Sequence, residues 1–117
     1  MALAAGRIRH TVVFTPRHAE GSAEEADFLA AAARLSAIPG VEAFELLRER
    51  SPKNTYRYGI SMEFAGPDEY AAYNEHPDHV RFVKERWLVE VADFLELDYE
   101  QPGFNPVAVG PERLQPD

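Results

Sequence analysis

The sequence predicts an α+β domain with a ferredoxin-like β-α-β-β-α-β order, in which an antiparallel sheet carries its helices on one face. Two observations lead to this fold class. Apolar residues alternate with period two in four segments and recur with helical spacing in two others, and proline or glycine separates the segments. The length of 117 residues fits one domain, because a chain of about this size buries roughly two thirds of its unfolded surface.

The four segments with the two-residue period of strands span residues 7–15, 41–50, 55–64 and 94–99. The second and third are joined by Ser-Pro-Lys-Asn, a turn-forming sequence that predicts an antiparallel hairpin. One face of the first strand carries Ile8, His10, Val12 and Phe14. A histidine therefore interrupts an otherwise apolar surface, and it needs a hydrogen-bond partner there.

Two helical segments separate the strands. The first is predicted from residue 23 to residue 37, because Ser22 stands three residues before Glu25 in the spacing of a capping box and a Pro-Gly pair ends the pattern. The second begins at Pro67 and is interrupted at Pro77. After this break, one buried stripe is predicted from three apolar residues at helical spacing: Val80, Val83 and Trp87.

Acidic residues outnumber basic residues by 20 to 12, which gives the chain a formal net charge of -8. This charge repels phosphate backbones and anionic lipids, so neither nucleic acid nor a membrane is expected as a partner. No segment reaches the ~18 apolar residues of a membrane span, and residues 1–6 lack the features of a signal peptide. We therefore expect a cytoplasmic protein. The absence of cysteine excludes disulfides, zinc-thiolate sites and thiol nucleophiles.

The sequence divides into a domain at residues 1–100 and a Pro-rich C-terminal arm at residues 101–117. The arm contains four of the nine prolines and shows no hydrophobic periodicity. In the domain, the predicted strands carry apolar residues on both faces, although helices cover only one. The uncovered face is therefore predicted to pack against a second copy of the chain, which makes the protein a homodimer.

The densest group of potential functional side chains lies between Glu69 and His79, around the helix break. His76 and His79 have a spacing found in metal sites, but Pro77 between them breaks the helix that would align them, so we predict no metal site. A histidine is suited to proton transfer near neutral pH. A tyrosine such as Tyr73 can hydrogen-bond an oxygen on which charge develops.

The same residues also fit a purely structural role. His76 can cap the helix break, and Tyr70 and Tyr73 can be core aromatics. His10 is either a core histidine with a satisfied hydrogen bond or the far wall of a polar pocket. The other polar residues considered are expected to be ordinary surface groups: His18, Asp93 and Asp98.

Four short motifs occur in a characteristic order. They are Arg-His-Thr-Val-Val-Phe at residues 9–14, Ile-Pro-Gly-Val at 38–41, Tyr-x-x-His-Pro-x-His at 73–79 and Leu-Asp-Tyr at 97–99. In this order they resemble the stress-responsive A/B barrel (Dabb) domain family, over about residues 7–99. The resemblance implies a ferredoxin-like fold in which two sheets join across a dimer axis into a dimeric α+β barrel.

The matching residues also resemble those of plant polyketide cyclases in this family, and this resemblance implies roles for them. By this resemblance His79 is the general base of an intramolecular aldol closure, Tyr73 steadies the enolate, and His10 orients or assists. No cofactor is implied, because the proton removed lies between two carbonyls and is already acidic. The ligand pocket is predicted to contain six further residues: Phe28, Ala31, Tyr58, Ile60, Tyr70 and His76.

Three functions follow as hypotheses. The favoured one is a dimeric barrel protein that acts in stress response or small-molecule binding without catalysis. The alternative is a cofactor-free enzyme of the polyketide cyclase kind, acting on a small hydrophobic or polyketide-like ligand with His79 as base. A further alternative is a cofactor-independent monooxygenase, by analogy with other dimeric α+β barrel enzymes. A cavity that reaches His10, Tyr73 and His79 favours the enzymatic hypotheses over the first.

Overall fold

The computed structural model describes residues 2–103 and confirms the predicted ferredoxin-like order. The four strands are β1 (Ile8–Pro16), β2 (Glu42–Arg48), β3 (Tyr58–Phe64) and β4 (Val91–Tyr99). The helices are α1 (Ala23–Ala33), α2 (Pro67–Glu75), α3 (Pro77–Phe82) and α4 (Leu88–Glu90), with a 3-10 turn at Arg34–Ala37 and a π-helical turn at Val83–Trp87. From residue 104 onward the predicted C-terminal arm lies outside the described residues.

The strands form one antiparallel sheet in the order β2-β3-β1-β4. Because β1 is a central strand, side chains from β3 and β4 meet those of β1 from either side. The register places His10 beside Met62 on β3 and beside Asp98 on β4. Directly paired residues point to the same face of a sheet, so Asp98 shares with His10 the face that the helices cover.

The core lies between the sheet and the helices. Phe14 and Phe64 on the sheet and Phe28 on α1 are completely buried. The ring centroids of Phe14, Phe28 and Trp87 are 4.9 to 6.2 Å apart, within the range of aromatic packing. These contacts fix the helices on one face of the sheet. In the part of the chain that the structure describes, no helix has the length and apolar character needed to cross a membrane.

The stripe predicted after the helix break is wrong at Val80 alone, since Trp87 is buried and Val83 is partly buried in the cavity lining. Val80 is half exposed, whereas Phe82 and Trp87 are buried. The two buried aromatics are five residues apart, and the π-helical turn at Val83–Trp87 suits that spacing because its hydrogen bonds join residues five apart. Phe82 and Trp87 therefore face the core together, and Val80 faces solvent.

Some element boundaries also differ from the prediction. The third strand begins at Tyr58 rather than at residue 55, since Asn54 Oδ1 accepts a hydrogen bond from the Tyr56 N–H and holds a turn there. The first helix gives way to the 3-10 turn after Ala33. In β2 the register with β3 shifts near Ala43, whose φ of 50° marks an irregularity of the β-bulge kind.

Candidate active site

A cavity of about 220 Å³ lies between the sheet and the helical segments that follow β3. Its polar lining consists of five side chains: His10, Tyr73, Asn74, His79 and Glu96. The rest of the lining is apolar and includes the aromatic rings of Phe82, Trp87 and Phe94. A largely apolar space with a few polar groups is the usual character of a small-molecule site.

β1 places His10 in the cavity wall, and Asp98 fixes the orientation of its ring. The imidazole Nδ1 lies 2.6 Å from Asp98 Oδ1, and the Tyr70 hydroxyl donates a hydrogen bond to Asp98 Oδ2 at 2.8 Å. An ionised carboxylate only accepts hydrogen bonds, so the proton of the neutral imidazole is on Nδ1. In this neutral tautomer the lone pair of His10 lies on Nε2. The Tyr70 hydroxyl also lies 2.9 Å from His10 Nδ1.

The helix break places His79 in the same wall. His76 caps α3, because its Nδ1 accepts a hydrogen bond from the Asp78 N–H at 3.1 Å, and α3 carries His79. The His79 Nδ1 lies 3.1 Å from the Asn74 carbonyl oxygen. A carbonyl also only accepts, so Nδ1 is the donor and the Nε2 of His79 is unprotonated as well.

Tyr73 lies between the two histidines. Its ring centroid is 4.3 Å from that of His79 and 6.3 Å from that of His10. The side chain is 2% exposed and forms part of the cavity lining. Two imidazoles and one phenol thus line a single cavity.

Burial sets the protonation of these groups. It lowers the pKa of His79, because the charged imidazolium loses its hydration, and it raises the pKa of Tyr73, because the phenolate would lose its own. The carboxylate of Glu96 raises the pKa of Tyr73 further. At neutral pH, His79 is therefore a neutral base and Tyr73 a hydrogen-bond donor.

One group of potential metal ligands overlaps this cluster. His10, Glu96 and Asp98 each offer a ligand atom, and these atoms lie within 4.8 Å of one another. However, Glu96 and Asp98 are exposed, as acidic side chains often are without a metal ion, and Asp98 Oδ1 is already engaged with His10 Nδ1 at 2.6 Å. The geometry fits a hydrogen-bonded acid/base cluster better than a metal centre.

The structure brings together the three residues predicted to be catalytic, since His10, Tyr73 and His79 all line the cavity. Of the six predicted pocket residues, Ile60 lines it as well. Phe28 and Ala31 instead pack in the core. The cavity lies past the end of α1, where the 3-10 turn contributes Leu35 to the lining. The middle of the first helix therefore does not reach it.

The remaining three predicted pocket residues have other partners. The Tyr58 hydroxyl donates a hydrogen bond to the buried Glu25 at 2.8 Å. Tyr70 contacts Asp98, so it supports the cavity wall from behind. His76 is the cap of α3, which is the structural role that the sequence analysis left open for it.

Sequence analysis missed three polar residues of the site: Asn74, Glu96 and Asp98. The prediction that Asp98 is an ordinary surface charge is wrong, because its carboxylate binds His10 and Tyr70. The alternation of the last strand places Glu96 and Asp98 on one face. Only the register with β1 shows that this face meets His10. His18 is likewise not simply solvated, since its Nε2 lies 2.7 Å from Glu90 Oε1.

The model of a known family matches most of the chain. The match is to the stress-responsive A/B barrel domain and extends over residues 8–101. The chain belongs to the Dabb family. This confirms the family inferred from the motifs, and the match ends at residue 101, one residue past the predicted domain end at residue 100. No curated protein matches the chain.

Solved structures show the same Dabb fold. A Dabb family protein with a ferredoxin-like fold from Mesorhizobium loti is 57% identical, with 84% of this chain and 99% of that chain covered and a TM-score of 0.83. A dimeric protein of unknown function from Bacteroides fragilis is 24% identical, with coverages of 86% and 100% and a TM-score of 0.64. SnoaB from Streptomyces nogalater, a cofactor-independent oxygenase, is 19% identical, with coverages of 87% and 99% and a TM-score of 0.64. The last two show a shared fold alone.

Proposed function

We propose that this Dabb protein binds a small carbonyl compound in the cavity and catalyses proton transfer at the carbon next to the carbonyl, without a cofactor. One observation carries the proposal: two imidazoles whose Nδ1 atoms face oxygen acceptors and a tyrosine line one largely apolar cavity. This is the enzymatic hypothesis of the cyclase kind. The proposal places the activity in the cytoplasm, as the sequence predicts.

The proposed reaction begins with proton removal. His79 Nε2 takes a proton from the carbon next to the carbonyl, and the electron pair of the broken C–H bond moves to the carbonyl oxygen. The Tyr73 hydroxyl donates a hydrogen bond to the oxyanion that forms. Because Tyr73 keeps its own proton, it stabilises this charge without ionising.

The enolate then has two outcomes. It takes the proton back from His79, which exchanges the hydrogen, or its carbon attacks a second carbonyl of the same ligand and closes a ring. In the second case the new alkoxide takes the proton from His79, which restores the base. His10, held by Asp98, supplies a second unprotonated nitrogen to hydrogen-bond a hydroxyl group of the ligand.

The test is the exchange of the methyl protons of acetophenone for deuterium in heavy water, followed by proton NMR. We expect the protein to accelerate this exchange over buffer of the same pH. His79→Gln should slow the catalysed exchange by about a hundredfold, the usual contribution of a general base. Tyr73→Phe should also slow it while leaving the base in place.

The matched control is His18→Gln, which removes an imidazole that lies outside the cavity lining and should leave exchange unchanged. Circular dichroism checks that each variant is folded. The proposal would be refuted if exchange is no faster with the protein than in buffer, or if wild type and His79→Gln exchange at the same rate. The non-catalytic ligand-binding hypothesis would then replace it. Consumption of dioxygen with formation of an oxidised ligand would favour the monooxygenase hypothesis instead.

We also propose that the protein is a homodimer formed through the outer face of the sheet. That face lies opposite the helices and carries four large apolar side chains that are 41 to 51% exposed: Leu47, Leu95, Leu97 and Tyr99. An apolar patch on this scale favours a partner surface. The dimeric state of the Bacteroides fragilis protein, which has the same fold, supports a second copy as that partner.

A further inference from the structure

The cavity lining carries a single carboxylate. Among the residues that the structure describes, Glu96 is the one acidic side chain in the lining, and neither lysine nor arginine contributes to it. None of the ion pairs within residues 2–103 involves Glu96. A second carboxylate, that of Asp98, lies within 4.8 Å of it beside His10. Glu96 is exposed and pairs with no lysine or arginine among the described residues, and His10, which contacts Asp98, is the nearest group able to carry a positive charge.

The charge of Glu96 acts on the groups inside the cavity. It adds to the burial that raises the pKa of Tyr73, and it partly offsets the burial that lowers the pKa of His79. Both effects indicate a negative potential where a ligand would bind. A carboxylate ligand would meet this potential after losing its own hydration, with no lysine or arginine in the described lining to compensate. An uncharged ketone or amide avoids both the electrostatic repulsion and the cost of removing water from a charged group.

The volume of the cavity limits the size of the ligand. An engineered apolar cavity of about 150 Å³ holds one benzene molecule. The cavity here has about 220 Å³, which leaves roughly 70 Å³ beyond one ring. That space suits a carbonyl group with a small substituent, whereas a second ring or a long alkyl tail would have to extend out of the cavity through its open side.

We propose that this cavity selects small, uncharged, single-ring carbonyl compounds, and that Glu96 is the specificity-determining residue that rejects carboxylates. The proposal rests on the proposed function and names the class of its substrate. Trp87 and Phe94 in the lining provide aromatic surface for the ring of the ligand. The polar lining residues His10, Tyr73 and His79 provide hydrogen-bonding groups for its carbonyl group.

Benzamide and benzoate test the role of Glu96, because they have the same shape and differ in charge. Their affinities are measured at neutral pH by titration followed by NMR. We expect wild type to bind benzamide at least about tenfold more tightly than benzoate, and Glu96→Gln to narrow this ratio by about fivefold. Glu96→Lys, which places a cation at the same position, should reverse the preference. Biphenylcarboxamide, with its second ring, should bind more weakly than benzamide.

Glu24→Gln is the matched control, since it removes one exposed carboxylate from the first turn of α1 and leaves the cavity lining intact. It should keep the wild-type ratio. A ratio that does not respond to either Glu96 substitution, equal binding of the two ligands by wild type, or no binding of benzamide would each overturn the proposal.

The outcomes of this test are independent of those of the exchange experiment. Binding of benzamide with the expected Glu96 dependence, but without catalysed exchange of acetophenone, rejects the proposed proton transfer and keeps the ligand class. Catalysed exchange that depends on His79, with no discrimination between benzamide and benzoate, rejects the ligand class and keeps the proton transfer.

Discussion

Asp98 and the backbone carbonyl of Asn74 determine what two cavity histidines can do. The Asp98 carboxylate accepts a hydrogen bond from His10 Nδ1, and the Asn74 carbonyl accepts one from His79 Nδ1. The Nε2 atoms are then free of protons, and a base with its lone pair available is what proton abstraction requires. With the opposite tautomer, the same residues would present N–H donors to a ligand.

Nitrogen-15 NMR of histidine-labelled protein tests these proton positions. At neutral pH, we expect the Nδ1–H tautomer for His10 and His79, because their Nδ1 partners accept hydrogen bonds only. Asp98→Asn should alter the His10 nitrogen shifts and leave those of His79 in place. Single histidine substitutions assign the signals. A proton on Nε2 of His79 in the free protein would contradict the proposed base.

Glu25 shows how one buried charge supports the fold. It is 2% exposed, and hydrogen bonds from the Gly21 N–H, the Tyr58 hydroxyl and Arg57 satisfy its carboxylate. Burial alone would raise its pKa, but these bonds prevail and lower it. The group therefore stabilises the fold above the ordinary carboxyl pKa, and this stabilisation is lost as the pH falls through the lowered value.

We accordingly expect Glu25→Gln to reduce the free energy of unfolding by about 2 kcal/mol at neutral pH, since Arg57 loses its charged partner. The difference between variant and wild type should be smaller at an acid pH below the lowered pKa of Glu25, where both carry a neutral side chain. Urea denaturation at the two pH values measures this. Glu24→Gln, on the same helical turn but exposed, serves as the comparison. A loss that is equal at both pH values would show that the charge of Glu25 is not its source.

At the scale of elements, the helix break at Pro77 has a positional role. α2 ends at Glu75, and α3 starts again at Pro77 with His76 as its cap. This restart directs α3 so that His79 lies against the carbonyl of Asn74. A continuous helix would keep that carbonyl in the backbone hydrogen-bond pattern and remove the acceptor that sets the His79 tautomer.

His76→Ala should therefore lower the free energy of unfolding by about 1 kcal/mol, the usual effect of losing an N-cap side chain. His76→Asn, which retains a capping acceptor, should recover most of this loss. Thermal unfolding followed by circular dichroism compares the two. If alanine and asparagine are equally destabilising, the cap is not what His76 contributes.

The elements themselves could be predicted from sequence because their signals are local. Ser22 marks the start of α1, and the structure shows the expected cap, in which the Glu25 N–H donates a hydrogen bond to the Ser22 hydroxyl. The exposure of Val80 could not be predicted, because a π-helical turn changes the spacing of buried residues from four to five. Phe82 and Trp87 satisfy this spacing, and Val80 does not.

The polar half of the site was harder to predict for a physical reason. Asp98 is 88 residues from His10 along the chain, and their contact follows from the register of β4 on β1. Alternation indicates which residues share a face, but a strand can slide by two residues and keep that pattern. The roles of Glu96 and Asp98 can therefore be recognised only when the pairing of β4 with β1 is known.

At the scale of the whole molecule, the two faces of the sheet have different tasks. The inner face carries the core and the cavity, while the outer face presents Leu95 and Leu97 to solvent in the single chain. Because these side chains alternate with Glu96 and Asp98 along β4, one strand serves both the cavity and the proposed dimer interface.

A charge on the outer face tests the proposed dimer. We expect Leu97→Lys to shift the protein from dimer to monomer in sedimentation equilibrium, because it places an ammonium group in an apolar interface. Val80→Lys is the matched control, since Val80 is similarly exposed but lies on α3, away from the sheet. A wild-type protein that sediments as a monomer, or a Leu97→Lys variant that stays dimeric, would refute the interface.

The pH dependence of acetophenone exchange tests most directly whether the cavity is an acid/base site. Because burial lowers the pKa of His79, the catalysed rate should rise to a plateau through an inflection below the ordinary histidine pKa of about 6.5. His79→Gln should abolish that inflection, and His18→Gln should keep it. A profile that matches buffer alone, or an inflection that persists in His79→Gln, would contradict the assignment of His79 as the base.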